Sequence, residues 1–359
     1  MSADARSAGR PRGAMLEGFR PVPGVHCETT MLNNMLRYAG LDVSEALIFG
    51  LGRGIDAQFF PPPPHTGIPP MLTGRVEPGR IAADACAAMG LTLVTTQDAD
   101  DAGAHARAVA ALSAGSVVGV TVDIFHLDYF ASQAHFSAHC IALHGLDDST
   151  AYVADTSQQG GAQQLPLESF TRARASDEGF MPSPRLHWHL DDSPDPLPGG
   201  AAALAPQVWP AILGAAGHYL DRGRGDDRGI LALRRAAEEL PGWQQLSRSD
   251  VVIPEIARFW RFAGTGGTNF RGLYGEFLAE AQAMTGDAEL LPSLTRFEAV
   301  VSAWTALIDH LTGYPEASSR TAHLKDASAR LHSIADAEEA AFGELAELAR
   351  DRVGAERVT

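Results

Sequence analysis

An α+β N-terminal domain followed by an all-α C-terminal domain is the fold class this sequence predicts. Three observations predict it. Short runs rich in Val and Ile, separated by turn residues, fill 116–155. A helical apolar period dominates the chain after 207. Between the two lies a stretch rich in Pro, Gly and Asp, "DDSPDPLPGGAAALAP". The expected organisation is an unstructured arm at 1–17, an α+β domain at 18–190, a linker at 191–206 and a helical domain at 207–355.

The first element is the helix in "GVHCETTMLNNMLRYAG". Met31, Leu32, Met35, Leu36 and Ala39 recur at helical spacing, Thr29 or Thr30 can cap its start, and Gly40 can end it. Then "ALIFGLGRGIDAQFFPPPPHTGIPPMLTGR" reads as loop around short extended pieces, because Gly and Pro are dense. "PGRIAADACAAMG" predicts a second helix, "LTLVTT" a strand and "DDAGAHARAVAALSAG" a third helix. The strands "SVVGVTVD", "HCIALHGLD" and "TAYVADT" follow, and "LPLESFTRARAS" reads as a strand running into a helix. Six helical patterns complete the chain: "WPAILGAAGHYL", "RGILALRRAAEEL", "VVIPEIARFWRFAG", "NFRGLYGEFLAEAQAM", "LLPSLTRFEAVVSAWTALIDHL" and "ASARLHSIADAEEAAFGELAELARDRV".

Composition narrows the function classes. The chain has 359 residues, 45% of them hydrophobic, which suits a globular protein with a substantial core. Its three cysteines, Cys27, Cys86 and Cys140, form no disulfide framework and point to a reducing, cytoplasmic compartment. No apolar run approaches the ~20 residues of a membrane span, and the N-terminus has no continuous apolar core of a secretory signal. Net charge is −16, which disfavours general nucleic-acid binding and suits a cationic small molecule, or simply keeps the protein soluble.

Cys27 lies at the predicted start of the first helix, where unpaired N–H groups and the helix dipole favour a thiolate. The plainer reading is a buried structural cysteine. A nucleophilic cysteine needs a base and a group that orients the base. His135, His139 and His144 cluster in one segment. His139 opens a strand and Asp155 closes the returning one, so a tight hairpin brings both to the same open end. His144 differs from His139 by an odd number and faces the other side of the strand. His135 reads as loop. A metal set of His135, His139, Cys140 and His144 is disfavoured, because a strand does not converge those side chains and no CxxC pair accompanies them. "GTGGTNF" precedes a helix but lacks the lysine of a phosphate-binding loop, so a tight helix–helix turn is favoured over an anion cradle.

The ordered motifs "HCETTMLNNMLRYAG", "LIFGLGRG", "VDIFHLDYF", "HCIALHGLDD" and "YVADTS" resemble the N-terminal domain of butirosin-biosynthesis BtrH-type proteins, which are related to papain-like cysteine peptidases. "GTGGTNFRGLYGEFLAEA" resembles the uncharacterised helical domain that commonly follows it. The resemblance implies a papain-like core with nucleophile Cys27, base His139 and orienting carboxylate Asp155. It implies a cysteine acyltransferase that moves an acyl group from a carrier-protein or coenzyme A thioester to a small-molecule amine. Substrate contacts are expected from His26, Glu28, Asp123, Asn269 and Arg271. No cofactor, metal, nucleic acid or membrane is expected, and the helical domain could cap the cleft or form a homodimer interface. Arg172, Arg174, Arg261 and Arg271 are candidates for an arginine patch meeting an acidic carrier protein. One departure stands out. "FRPVPGVHC" lacks the glutamine that papain-like peptidases place before the cysteine, so the oxyanion must use backbone N–H groups or a residue from elsewhere. A hydrolase or cyclase with the same nucleophile, and a non-catalytic binding protein, are the alternatives.

Overall fold

A computed structural model describes residues 13–62, 68–191 and 200–356. In chain order, β1 (Ala14–Met15) leads to α1 (Cys27–Tyr38), α2 (Glu45–Leu51), β2 (Ile55–Phe60), β3 (Met71–Arg75) and α3 (Arg80–Ala88). Then come β4 (Leu93–Gln97), α4 (Asp101–Ser113), β5 (Val118–Val122), β6 (His139–Leu146), β7 (Thr150–Ala154), β8 (Ala162–Pro166), α5 (Leu167–Ala175) and β9 (Leu186–Leu190). The remainder is helical: α6 (Ala205–Leu220), α7 (Gly229–Glu239), α8 (Ser249–Phe262), α9 (Arg271–Thr285), α10 (Leu290–Thr312) and α11 (Arg320–Glu356). The expected α+β region followed by an all-α region is what the structure shows.

The chain forms two units. The first comprises Met1–Glu45 and Gly90–Ala201. Its described strands form one antiparallel sheet in the order β4-β9-β5-β6-β7-β8, with β1 added on β6. Helix α1 packs on the sheet because Met31, Leu32, Met35 and Leu36 form one buried face. Its approach to β5 is close. A Cβ at Gly119 would lie 2.5 Å from the sulfur of Met31. Gly119→Val should therefore lower stability by about 1–3 kcal/mol, as overpacking does, read as a lowered urea midpoint with an unchanged slope.

The second unit comprises Ala46–Met89 and Ala202–Thr359. This differs from the expected boundaries, which kept 46–89 with the sheet. The physical reason is side-chain chemistry. Phe49 stacks on Phe270 with ring centres 5.8 Å apart. Gly50 faces the Phe277 ring. The buried Asp56 carboxylate accepts two hydrogen bonds from Arg224, at 3.0 and 2.7 Å. Trp260 Nε1 donates to the Leu72 carbonyl at 2.8 Å.

Other expectations shift locally. The segment read as loop contains α2 and the β2–β3 hairpin. Within the expected arm, Ala14 and Met15 pair with Leu146 and Gly145, whereas 1–12 lie outside the described residues. Of the expected linker, 192–199 lie outside the described residues, and 200–204 form a 3-10 turn leading into α6. The strand β9 was not expected. The glycine-rich segment before α9 is a helix–helix connection, as favoured.

Candidate active site

Cys27 is the first residue of α1, and His26 before it is extended, with φ −115° and ψ 133°. That geometry places the sulfur at the positive end of the helix. The turn leading to it is pinned twice. Asn34 exchanges two 2.9 Å hydrogen bonds with the backbone of Val22. Glu45 accepts the Val25 and His26 N–H groups, each at 2.8 Å. The thiol is held well below its ordinary pKa. Its hydrogen bond with Cys140 contributes most, burial opposes it, and the His26 charge with hydrogen bonds to His139 and His26 adds to it.

His139 and Asp155 are brought together by the β6–β7 hairpin, whose register pairs Ala142 with Ala154. His139 Nε2 lies 3.0 and 2.9 Å from the two Asp155 carboxylate oxygens. A carboxylate only accepts, so Nε2 carries the hydrogen and Nδ1 is left for the thiol. Asp155 is 1% exposed. It also accepts the Tyr129 hydroxyl at 2.7 Å and the Thr156 N–H at 2.7 Å. Burial disfavours charge on His139, yet the Asp155 charge and hydrogen bond, joined by the Cys27 thiolate, raise its pKa to about 10. Both shifts run in the direction that favours a thiolate–imidazolium pair. Phe130 covers the imidazole edge-on, with ring centres 5.0 Å apart.

Asp123 does not present a free carboxylate to a substrate, which corrects the expectation for it. It is fully buried, and its oxygens accept Phe125 N–H (3.1 Å), Phe136 N–H (3.0 Å), His135 Nδ1 (2.6 Å) and the Ser176 hydroxyl (2.7 Å). These bonds clamp both ends of the loop that carries Tyr129 and Phe130. Among the described residues, Asp123, His126 and His135 bring ligand-type atoms within 4.8 Å of one another. With four donors already on the carboxylate, the cluster reads as a loop clamp. The other metal set considered does not converge: His135 binds Asp123, His139 binds Asp155, and His144 stacks on Phe19 at 4.2 Å. Burial lowers the His144 pKa to about 4.

Further expectations are corrected as well. Arg271 and Asn269 lie in the second unit and are fully buried. Arg271 donates to Glu338 through Nε and Nη2, both at 2.9 Å, so its charge is consumed in the core and does not reach for an anion. Asn269 is in the left-handed region, φ 47°, and its carbonyl accepts from Arg271 at 2.9 Å. Glu28 is fully buried in α1 and His26 is 2% exposed, so neither offers an open surface to a substrate. The arginine patch does not form as expected either: Arg174 is buried, Arg172 pairs with Glu168 and Arg261 with Asp309. Sequence reasoning missed Tyr129, Cys140 and Glu45 as neighbours of the site. Tyr129 had no spacing signal, Cys140 was weighed only as a metal ligand, and Glu45 lies between the first helix and the segment read as loop.

Residues 26–156 match the family Butirosin biosynthesis protein H, N-terminal. The matched span opens on His26 and closes on Thr156, enclosing Cys27, His139 and Asp155. Residues 26–156 thus form a domain of the BtrH N-terminal kind. Residues 168–345 match a domain of unknown function, DUF4872. Among solved structures, a protein described as a C39-like peptidase from Bacillus anthracis is similar over 51% of this chain and 98% of its own, at 15% identity and a TM-score of 0.35. No curated protein matches significantly. No helix among the described residues is long and apolar enough to cross a membrane. The BtrH-type domain carries a cysteine at a helix start and an imidazole on an antiparallel sheet, oriented by a buried carboxylate.

Proposed function

We propose that this protein is a cysteine acyltransferase of biosynthesis, taking an acyl group from a carrier-protein or coenzyme A thioester and passing it to an amine. The observation that carries this reading is the Cys27–His139–Asp155 geometry within a BtrH-family domain. The Cys27 thiolate attacks the thioester carbonyl carbon. The carbon–sulfur bond to the carrier breaks, and the departing thiolate takes the His139 Nδ1 proton. The incoming amine then attacks the acyl-Cys27 carbonyl. His139 Nδ1 accepts the amine proton, the Cys27 thiolate leaves and an amide remains. Asp155 holds the Nε2–H throughout and so fixes the reactive tautomer. Cys27 opens α1, and backbone N–H groups at a helix start are suited to an oxyanion. A thioester is already activated, so backbone donors suffice where a peptide bond would ask for more. The net charge of −16 favours a cationic amine as acceptor.

Intact-protein mass spectrometry with a panel of acyl thioesters tests the reading, with wild type beside Cys27→Ala. Wild type should gain one acyl group and lose it on adding the amine, with amide formed, whereas Cys27→Ala should gain none. An adduct on Cys27→Ala would overturn the assignment. An adduct that decays equally fast in water alone, without amide, would make the enzyme a hydrolase.

A further inference from the structure

Each oxygen of the Asp155 carboxylate has a fixed donor besides His139. The Thr156 N–H donates to Oδ1 at 2.7 Å, and the Tyr129 hydroxyl donates to Oδ2 at 2.7 Å. Between these two pegs the His139 Nε2–H sits across both oxygens, at 3.0 and 2.9 Å. Thr156 is the next residue in the chain, so its peg travels with Asp155. Tyr129 comes from the loop between β5 and β6, 26 residues away. That loop is fastened at its neck. The Ile124 N–H donates to the Phe136 carbonyl at 3.2 Å. Asp123 Oδ1 accepts the N–H groups of Phe125 and Phe136, one from each end, and Oδ2 accepts His135 Nδ1 and the Ser176 hydroxyl. At its tip the Phe130 N–H turns back to the Leu127 carbonyl at 2.9 Å. The fastened loop therefore sets the Phe130 ring on His139 and the Tyr129 hydroxyl on Asp155. Burial and the Asp155 charge hold the Tyr129 pKa above the usual phenol value, so the hydroxyl keeps its proton and donates.

We infer that Tyr129 is a positioning residue for the acid–base pair, fixing the plane of the Asp155 carboxylate and sharing the negative charge that His139 would otherwise meet undivided. Without the hydroxyl, the carboxylate is free to turn one oxygen fully onto the Nε2–H. A single charge-assisted bond then replaces a shared one, and the imidazolium is held more tightly. Its Nδ1 proton is given up less readily to a departing thiolate. The inference rests on the reading of His139 as the acid–base residue, but not on the identity of the acyl donor or acceptor. The ionisable groups that meet His139 are Asp155, just after β7, and Cys27, at the start of α1, with Tyr129 behind Asp155.

The test reads the protonation midpoint of His139 by NMR of ring-labelled histidine in the full chain, its resonance assigned by its loss in His139→Gln. All samples carry Cys27→Ala. Burial opposes charge on His139, while Asp155 and Cys27 both raise its pKa, so removing the thiol brings the midpoint below about 10. Tyr129→Phe should then raise the midpoint by about 0.5–1 pH unit, a three- to tenfold change in the protonation equilibrium. Asp155→Asn, which removes the charge, should lower it. A general loosening of the site would send Tyr129→Phe in that same downward direction, so the sign separates positioning from mere support. Replacing tyrosine throughout by a ring-fluorinated tyrosine, a stronger donor of nearly the same shape, should lower the midpoint, and should do nothing once Tyr129 is Phe. This second arm decides by its sign even where Tyr129→Phe fails to fold. An unmoved or lowered midpoint in Tyr129→Phe would overturn the inference, as would a fluorotyrosine shift that persists in Tyr129→Phe. No acyl donor is present in this assay. Failure of the transferase reading therefore leaves its result intact, and an inert Tyr129 leaves transfer intact.

Discussion

Asp155→Ala should lower Cys27-dependent acyl transfer by about 10²–10⁴-fold in kcat/KM, the contribution expected of an oriented general acid–base. Three donors converge on this carboxylate: His139 Nε2, the Tyr129 hydroxyl and the Thr156 N–H. Removing it leaves the His139 N–H without an acceptor and lets the ring turn away from the thiol. It also removes the charge that raises the His139 pKa to about 10. The sign follows directly. A lower imidazole pKa destabilises the imidazolium, so the thiolate–imidazolium pair holds over a narrower range, losing its upper end first. Asp155→Asn separates the two effects, since it keeps an acceptor and removes the charge. It should retain more activity than Asp155→Ala while still shifting the rising limb of Cys27 alkylation to higher pH. Equal kcat/KM for wild type and Asp155→Ala would show that His139 is oriented by something else.

Glu338→Ala should cost about 3–5 kcal/mol of stability, because it leaves a buried charge without its partner. Glu338 and Arg271 are both fully buried. The carboxylate accepts Arg271 Nε and Nη2 at 2.9 Å, Trp304 Nε1 at 2.6 Å and the Tyr219 hydroxyl. Arg271 Nη1 further donates to the carbonyls of Asp56 (3.2 Å) and Asn269 (2.9 Å), and its guanidinium lies 5.0 Å from the centre of the Trp304 ring. Against a total stability of about 5–15 kcal/mol, the loss would be plain as a lower urea midpoint. The double change Arg271→Met/Glu338→Leu should be much less harmful than either single change, since removing both charges removes the desolvation cost with them. A double variant as unstable as Glu338→Ala would mean that shape, not charge, is what this core depends on.

The site was legible where local sequence sets geometry. Thr29 and the apolar period after it placed Cys27 at a helix start, and counting out from a hairpin turn placed His139 near Asp155. What stayed hidden depends on partners far along the chain. Arg271 looked free because Glu338, which neutralises it, comes 67 residues later. Asp123 looked available because its donors, Phe136 N–H, His135 and Ser176, have no regular spacing from it. Helix α2 was read as loop because Gly50, Gly52 and Gly54 punctuate it. In the folded chain Gly50 and Gly54 face phenylalanine rings, and Gly52 faces Ile81. Strand β9, "LHWHL", joins the sheet between β4 and β5, a place that only long-range pairing defines.

The discontinuous second unit has a consequence for the order in which the molecule can be made. Ala46–Met89 leaves the ribosome before any of Ala202–Thr359, its packing partner, exists. The whole of 90–201 must be translated in between, a wait on the order of 10 s at bacterial-like speeds of about 5–20 residues per second. During that interval Phe49, Phe59 and Leu72, all buried in the finished protein, have no shelter of their own, and the β2–β3 hairpin has open edges. The sheet unit has its full chain once Ala201 has emerged. Translation therefore completes the thiol-bearing unit first, and leaves the helical unit's earliest segment exposed the longest.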